Sequence, residues 1–213
     1  MSSPVSRDRP AVWKRAIKVM EKDEMILSRL LWVVVILFPI SEVTLAVLKR
    51  AKSETAQVED RGSMTLLWMV IGAAMTLAIS FQWVKAARFT MSARLDHVLA
   101  LVLMASGLLI RWWSILTLGR LFTVNVAIQH DHAIVQKGLY KYVRHPSYAG
   151  LLLAFLGLGV FFHSWLSLTA LIVPITLAVA NRIAKEEAVL RTALGASYAD
   201  YCARTKRLIP WLI

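Results

Sequence analysis

A chain of 213 residues with 58% hydrophobic side chains carries more apolar surface than an ordinary soluble domain of that size buries, so its composition points to a polytopic membrane protein. The formal net charge of +12 does not point to nucleic acid, because the 25 Lys and Arg residues are shared among the segments between the apolar runs; anionic lipid head groups are the simpler partner. The single cysteine, Cys202, excludes an internal disulfide and any cysteine-clustered zinc or iron–sulfur site.

Residues 1–25 mix Arg7, Arg9, Lys14, Arg15, Lys18 and Lys22 with Glu21, Asp23 and Glu24, which does not match a cleaved signal peptide. Val12, Ala16, Val19 and Met20 stand there at helical spacing, the pattern of an amphipathic helix on a membrane surface. Runs apolar enough to cross roughly 30 Å of hydrocarbon follow at 26–48, 64–84, 97–117, 148–164 and 165–183. The expectation is an all-α protein with five transmembrane helices, the last two forming a helical hairpin, and a cytosolic C-terminal helical cap. Residues 26–117 form a three-span scaffold and 118–213 hold the chemistry.

In the scaffold, Gly72, Ala73 and Ala74 of the second span and Ser106 and Gly107 of the third are small residues suited to close helix packing. Arg111 is followed by Trp112 and Trp113 near the end of the third span. It either snorkels to the head groups beside its tryptophans or faces an internal cavity.

After the third span, Phe122, Val124, Val126 and Ile128 alternate in a weak extended pattern. His130, Asp131 and His132 invite a metal, but adjacent side chains cannot all aim at one ion and no further ligand follows at zinc-like spacing, so no metal is expected. Gly138 suits a turn needing positive φ, and Pro146 suits the first turn of a helix, where its missing N–H costs nothing. The fourth span therefore starts at His145-Pro146-Ser147, with its positive dipole end turned toward an anionic group. His163-Ser164-Trp165 joins it to the fifth span. The open end of that hairpin brings Arg144, His145 and Tyr148 toward Arg182, Glu186 and Glu187. The helix runs on to a C-cap-type Gly195, and Tyr198, Tyr201, Lys206 and Arg207 complete the cap.

Basic residues flanking the spans give an orientation. Lys49, Arg50, Lys52, Arg61, Arg120, Lys137, Lys141, Arg144, Arg182, Lys185, Arg191, Arg204, Lys206 and Arg207 share one side and outnumber those on the other, which places the 118–147 loop and the cap in the cytosol. The basic N-terminal stretch argues the opposite way.

The ordered set Gly138-Leu-Tyr-x3-Arg-His-Pro-x-Tyr-x-Gly150, Arg182-x3-Glu-Glu187, Gly195-x2-Tyr198-x2-Tyr201 and Thr205-x-Arg207-x2-Pro210 resembles the isoprenylcysteine carboxyl methyltransferase family of integral-membrane methyltransferases. The resemblance covers residues 118–213. Phospholipid N-methyltransferases, thiol S-methyltransferases, alkylpyrone O-methyltransferases and, more distantly, sterol reductases share parts of it.

What the resemblance implies is S-adenosylmethionine in a cytosol-facing pocket and a lipophilic acceptor drawn from the bilayer. Cofactor contacts would come from His132, Ala133, Ile134, Val135, Tyr140, His145, Pro146, Ser147 and Tyr148, and from Glu186 or Glu187, while Arg182 matches the family arginine assigned to substrate. The residue types suit the ligand. A carboxylate pairs with the ammonium, tyrosine faces suit a sulfonium or adenine, and His145 with the helix start suits a carboxylate.

An acceptor carboxylate, with a pKa of about 3.5, is already ionised at neutral pH and needs no base. Arg182 or Arg144 would orient it through paired hydrogen bonds. An amine or phenol acceptor would need one, and His145 and His132 are the candidates. A reductase using NADPH would want further basic residues and more spans. The small-residue faces of spans two and three leave the oligomeric state open.

Overall fold

The computed structural model describes residues 11–48, 56–60, 62–89, 92–119, 126–129 and 134–210. Five α-helices make up the bundle: α1 (Ala11–Leu48), α2 (Gly62–Phe81), α3 (Ala93–Leu118), α4 (Pro146–Phe161) and α5 (Trp165–Arg204). α1 runs from Ala11 to Leu48 as one helix, so the N-terminal amphipathic segment and the first span are continuous.

Among the described residues four helices, at Lys22–Leu45, Gly62–Phe81, Arg94–Leu118 and Trp165–Arg204, are long and apolar enough to cross a membrane, and the chain is an integral membrane protein. The expected fourth span is short for a full crossing, as the sequence indicates. α4 has 16 residues, about 24 Å at 1.5 Å per residue, against the roughly 30 Å of a hydrocarbon core. The helix starts two residues before the apolar run 148–164 and ends at Phe161, where Phe162 and His163 turn the chain into α5.

α4 packs on α3 and on α5, α1 packs on α3, and α2 packs on α5. Glycine sets the closeness of the α3–α4 pair. A Cβ on Gly107 would lie 2.5 Å from the Ala154 nitrogen and 2.6 Å from the Gly150 carbonyl oxygen, so the two backbones touch there. Gly107 thus packs as the small-residue pattern suggests, whereas Gly72 has nothing within 4 Å of such a Cβ. Ser167 donates to the Ala78 carbonyl at 2.7 Å and locks the start of α5 to the end of α2.

A two-stranded antiparallel ribbon is the departure from an all-α chain. β1 (Ala56–Asp60) pairs with β2 (Val126–Gln129), with Ala56 opposite Gln129 and a register irregularity between Val58 and Asp60. The alternation at 122–128 announced β2. Its partner, between α1 and α2, carried no comparable signal.

The helix boundaries follow from individual residues. Ser92 caps α3 by accepting from the Leu95 N–H, and Ser164 caps α5 by accepting from the Ser167 N–H at 3.3 Å. Pro146 opens α4, and Gly138 (φ +57) lets the preceding loop turn. Gly195 (φ +53) breaks α5 as its C-cap-type pattern suggested, but a further helical stretch continues to Arg204.

Gly107→Val is expected to lower stability by about 1–3 kcal/mol through overpacking, with Gly72→Ala neutral or slightly stabilising. Thermal unfolding of the two variants in the same detergent checks the contrast.

Candidate active site at one end of the bundle

Three polar constellations meet where α4 begins. The first is built on Glu187, whose side chain is 3% exposed. Arg144 donates from Nε to Glu187 Oε1 at 3.0 Å, Arg207 donates from Nη2 to Oε2 at 3.0 Å, and His145 Nε2 lies 3.4 Å from Oε1. The more exposed Arg191, one helical turn on, reaches Oε2 at 3.8 Å.

The same loop and C-terminal segment are joined through their backbones. Arg144 N–H donates to the Lys206 carbonyl at 2.7 Å, His145 N–H to the Arg207 carbonyl at 2.9 Å, and Lys206 N–H to the Tyr142 carbonyl at 3.1 Å. Arg144 Nη1 also donates to the carbonyls of Cys202, at 3.1 Å, and Thr205. The Tyr201 hydroxyl donates to the Tyr140 carbonyl at 2.7 Å, and Tyr198 is buried beside it.

The second constellation is a relay across three elements. Arg182 Nη1 donates to Ser63 Oγ at 2.8 Å, Arg182 Nε donates to the Tyr148 hydroxyl at 2.8 Å, and that hydroxyl donates to Glu186 Oε2 at 3.1 Å. Adjacent residues on a helix diverge by about 100°. Glu186 and Glu187 therefore serve different partners, one a neutral phenol and the other a ring of cations.

In the third, Arg111 of α3 is buried and pairs through Nε and Nη2 with Glu42 of α1. Its Nη1 donates to Ser147 Oγ at 3.0 Å and to the Ser147 carbonyl at 3.3 Å. Arg111 is thus the inward-facing arginine, not the snorkelling one, because a buried carboxylate across the bundle draws it in. Glu42 was overlooked in the sequence. Its signal was a lone acid inside the apolar run 26–48, which is costly unless paired.

The expected site residues separate as follows. Tyr140, His145, Pro146, Ser147, Tyr148, Arg144, Arg182, Glu186 and Glu187 converge at this end, with Ile134 and Val135 half-buried in the loop leading to them. His132 and Ala133 lie outside the described residues, as do His130 and Asp131; among the described residues no group of three or more His, Cys, Asp or Glu side chains could hold a metal. The start of α4 offers fewer donors than its sequence suggests. Pro146 has no N–H, and the N–H groups of Tyr148 and Ala149 both donate to the His145 carbonyl. Burial pushes the Tyr140 phenol well above its ordinary pKa, and the nearby Glu186 carboxylate adds to the shift, so Tyr140 stays neutral.

An apolar cavity of about 870 Å³, lined by Phe38, Trp68, Leu151 and Phe155, has Glu42 in its wall. It lies among α1, α2, the start of α3 and α4.

An apolar bundle with membrane-length helices, three interlocked polar constellations at one end and an apolar cavity between its helices has the make-up of an integral membrane protein with an enclosed polar site. The family comparison agrees. Residues 98–192 match the isoprenylcysteine carboxyl methyltransferase family, and a probable protein-S-isoprenylcysteine O-methyltransferase of Oryza sativa subsp. indica is 30% identical over 155 residues, covering 65% of this chain and 81% of that protein. Protein-S-isoprenylcysteine O-methyltransferase B of Arabidopsis thaliana is 32% identical over 114 residues, 53% of this chain and 58% of that one. The solved structure of a eukaryotic intramembrane Ras methyltransferase has the same fold, with a TM-score of 0.56 at 23% identity, over 73% of this chain and 55% of that one. The chain belongs to the isoprenylcysteine carboxyl methyltransferase family and is a membrane methyltransferase. Glu42 and Ser63 lie outside the residues 98–192 that match the family, so helices beyond that match also contribute to the three constellations.

Removing one partner of a buried charge cluster typically costs about 3–5 kcal/mol. Glu187→Gln is therefore expected to lower thermal stability and to speed proteolytic cleavage after Lys206, with Glu186→Gln close to wild type in both measurements.

Proposed function

We propose that the chain transfers a methyl group from S-adenosylmethionine to the carboxylate of an isoprenylcysteine-like acceptor. The observation that carries this reading is the division of labour between the two glutamates. Glu187 is occupied by Arg144, His145 and Arg207, whereas Glu186 is bonded to the Tyr148 hydroxyl beside Arg182.

The donor set suits the cofactor. Glu186 is the carboxylate for its ammonium, the Tyr140 and Tyr148 rings suit a sulfonium or adenine, and Ile134, Val135 and the His145-Pro146-Ser147 turn wall the pocket, with His132 and Ala133 assigned from the family pattern. S-adenosylmethionine supplies an electrophilic methyl group. Arg182, anchored by Ser63 and Tyr148, orients the acceptor carboxylate. Arg144, whose guanidinium is committed to Glu187, Cys202 and Thr205, acts as a positioning residue that closes the pocket.

No side chain need remove a proton, because the acceptor carboxylate is ionised far below neutral pH. The protein contributes alignment and exclusion of water, the first an effect of about 7–11 kcal/mol in favourable cases. The isoprenyl chain enters from the bilayer and lodges in the end of the cavity near Glu42. In this reading α4 and α5 form the hairpin of a five-helix membrane region, 118–213 is the catalytic region, and the site and C-terminal cap face the cytosol, where anionic lipids meet the basic loops.

Glu186→Gln is expected to weaken S-adenosylhomocysteine binding about tenfold or more, the loss of a charge-assisted hydrogen bond. Arg182→Ala is expected to reduce kcat/KM on a prenylcysteine acceptor by about two orders of magnitude and leave that binding largely intact; calorimetry and a methyl-transfer assay separate the two. Turnover is expected to be flat from about pH 6 to 8.5. A rise through about pH 6.5 would instead reveal a histidine base and favour an amine or phenol acceptor.

A further inference from the structure

The cavity ends far from Glu42 in a second polar cluster that methyl transfer does not use. Asp96, in the first turn of α3, is 2% exposed. Its Oδ2 lies 2.8 Å from His163 Nδ1, whereas Oδ1 is buried with no hydrogen-bond partner among the described residues. A buried carboxylate oxygen left unpaired is destabilising, so its retention needs a reason. His97 packs edge-on against His163, with ring centroids 5.2 Å apart.

The backbone is held here against its own preference. His163 has φ +51, the sole positive φ at a non-glycine among the described residues. Its carbonyl accepts from the Phe89 N–H at 3.1 Å, and an antiparallel bridge joins Arg88 to Ser164. Strain of this kind persists where the surroundings over-determine it, commonly at binding sites. Those contacts bring the exposed Arg88 to the cavity wall that Asp96, His97 and His163 also line.

A cation and a buried anion with an unused oxygen therefore line the same end of an apolar cavity. We propose that this end opens to the bilayer surface and binds the head group of a phospholipid bearing a primary ammonium, with the ammonium donating to Asp96 Oδ1, the phosphate meeting Arg88, and one acyl chain lying in the cavity. The pairing is selective on chemical grounds. An anionic head group without an amine would satisfy Arg88 but leave Asp96 Oδ1 bare, and a quaternary ammonium has no N–H to donate. The lipid would enter at the opposite end of the bundle from Arg182 and Glu186, so the site stands independently of which acceptor is methylated.

Native mass spectrometry of the full chain, titrated with phosphatidylethanolamine, phosphatidylcholine and phosphatidylglycerol of identical acyl chains, tests this. Phosphatidylethanolamine is expected to be retained about tenfold better than the other two. Asp96→Asn should abolish that preference without changing S-adenosylhomocysteine binding, and Arg88→Gln should weaken retention of all three. Trp32, Trp68 and Trp83 line the cavity, so quenching of wild-type fluorescence by a phosphatidylethanolamine brominated along its chain, reversed by the unlabelled lipid but not by phosphatidylglycerol, provides a reading that needs no variant. Equal retention of the three lipids, an unchanged preference in Asp96→Asn, or quenching reversed equally by phosphatidylglycerol would overturn the proposal.

Discussion

The site depends on one buried carboxylate. Glu187 gathers Arg144, His145 and Arg207 onto its two oxygens while remaining almost fully enclosed. An isolated anion at that depth would be far too costly, and so would the arginine of the loop before α4. Together they neutralise one another, and their geometry fixes where the loop, the start of α4 and the C-terminal segment stand relative to each other. The backbone bonds between residues 142–145 and 206–207 form within that arrangement.

The early start of the chain reversal makes room for it. The Gly150 backbone lies against Arg111, so in this antiparallel pair α4 begins about one turn beyond Arg111, and α3 runs on about one further turn to Leu118. The volume that a full-length fourth helix would fill is taken by the 134–145 loop and the Thr205–Arg207 segment. Polar side chains from α1, α2, α3 and α5 turn into this recess and satisfy one another there, leaving the outward surfaces of α1 and α3 apolar, with Val33, Ile36, Val47, Leu109 and Leu116 exposed. An arginine and a glutamate in a membrane helix are tolerable on these terms, since each points inward to a partner.

Much of this was legible wherever a single residue dictates its own backbone. Gly138, Pro146 and Gly195 each marked a turn, a helix start and a break that the structure contains. The approach of Arg144, His145 and Tyr148 to Arg182, Glu186 and Glu187 followed from a hairpin with polar residues at its open end. Pairing across long stretches of chain was not legible. Arg111 meets Glu42 from 69 residues away and Arg182 meets Ser63 from 119, and no periodicity states which of two helix faces will find an acid. The separation of Glu186 from Glu187 was hidden for the same reason: both sit on one helix, and only the neighbours decide which is neutralised. Hydropathy located α4 to within a few residues, because Pro146 and the turn at Phe162 and His163 bound it on both sides.

The bond between Arg144 and Thr205 spans 61 residues. At a synthesis rate of about 5–20 residues per second, the loop before α4 waits about 3–12 s for its partners to leave the ribosome. The glycine-lined contact of α3 with α4 needs only residues synthesised well before then, so it can form while Arg144 still lacks the acid that neutralises it. A nascent chain stopped short of Thr205 would therefore contain all five described helices yet lack the partners that hold the loop before α4.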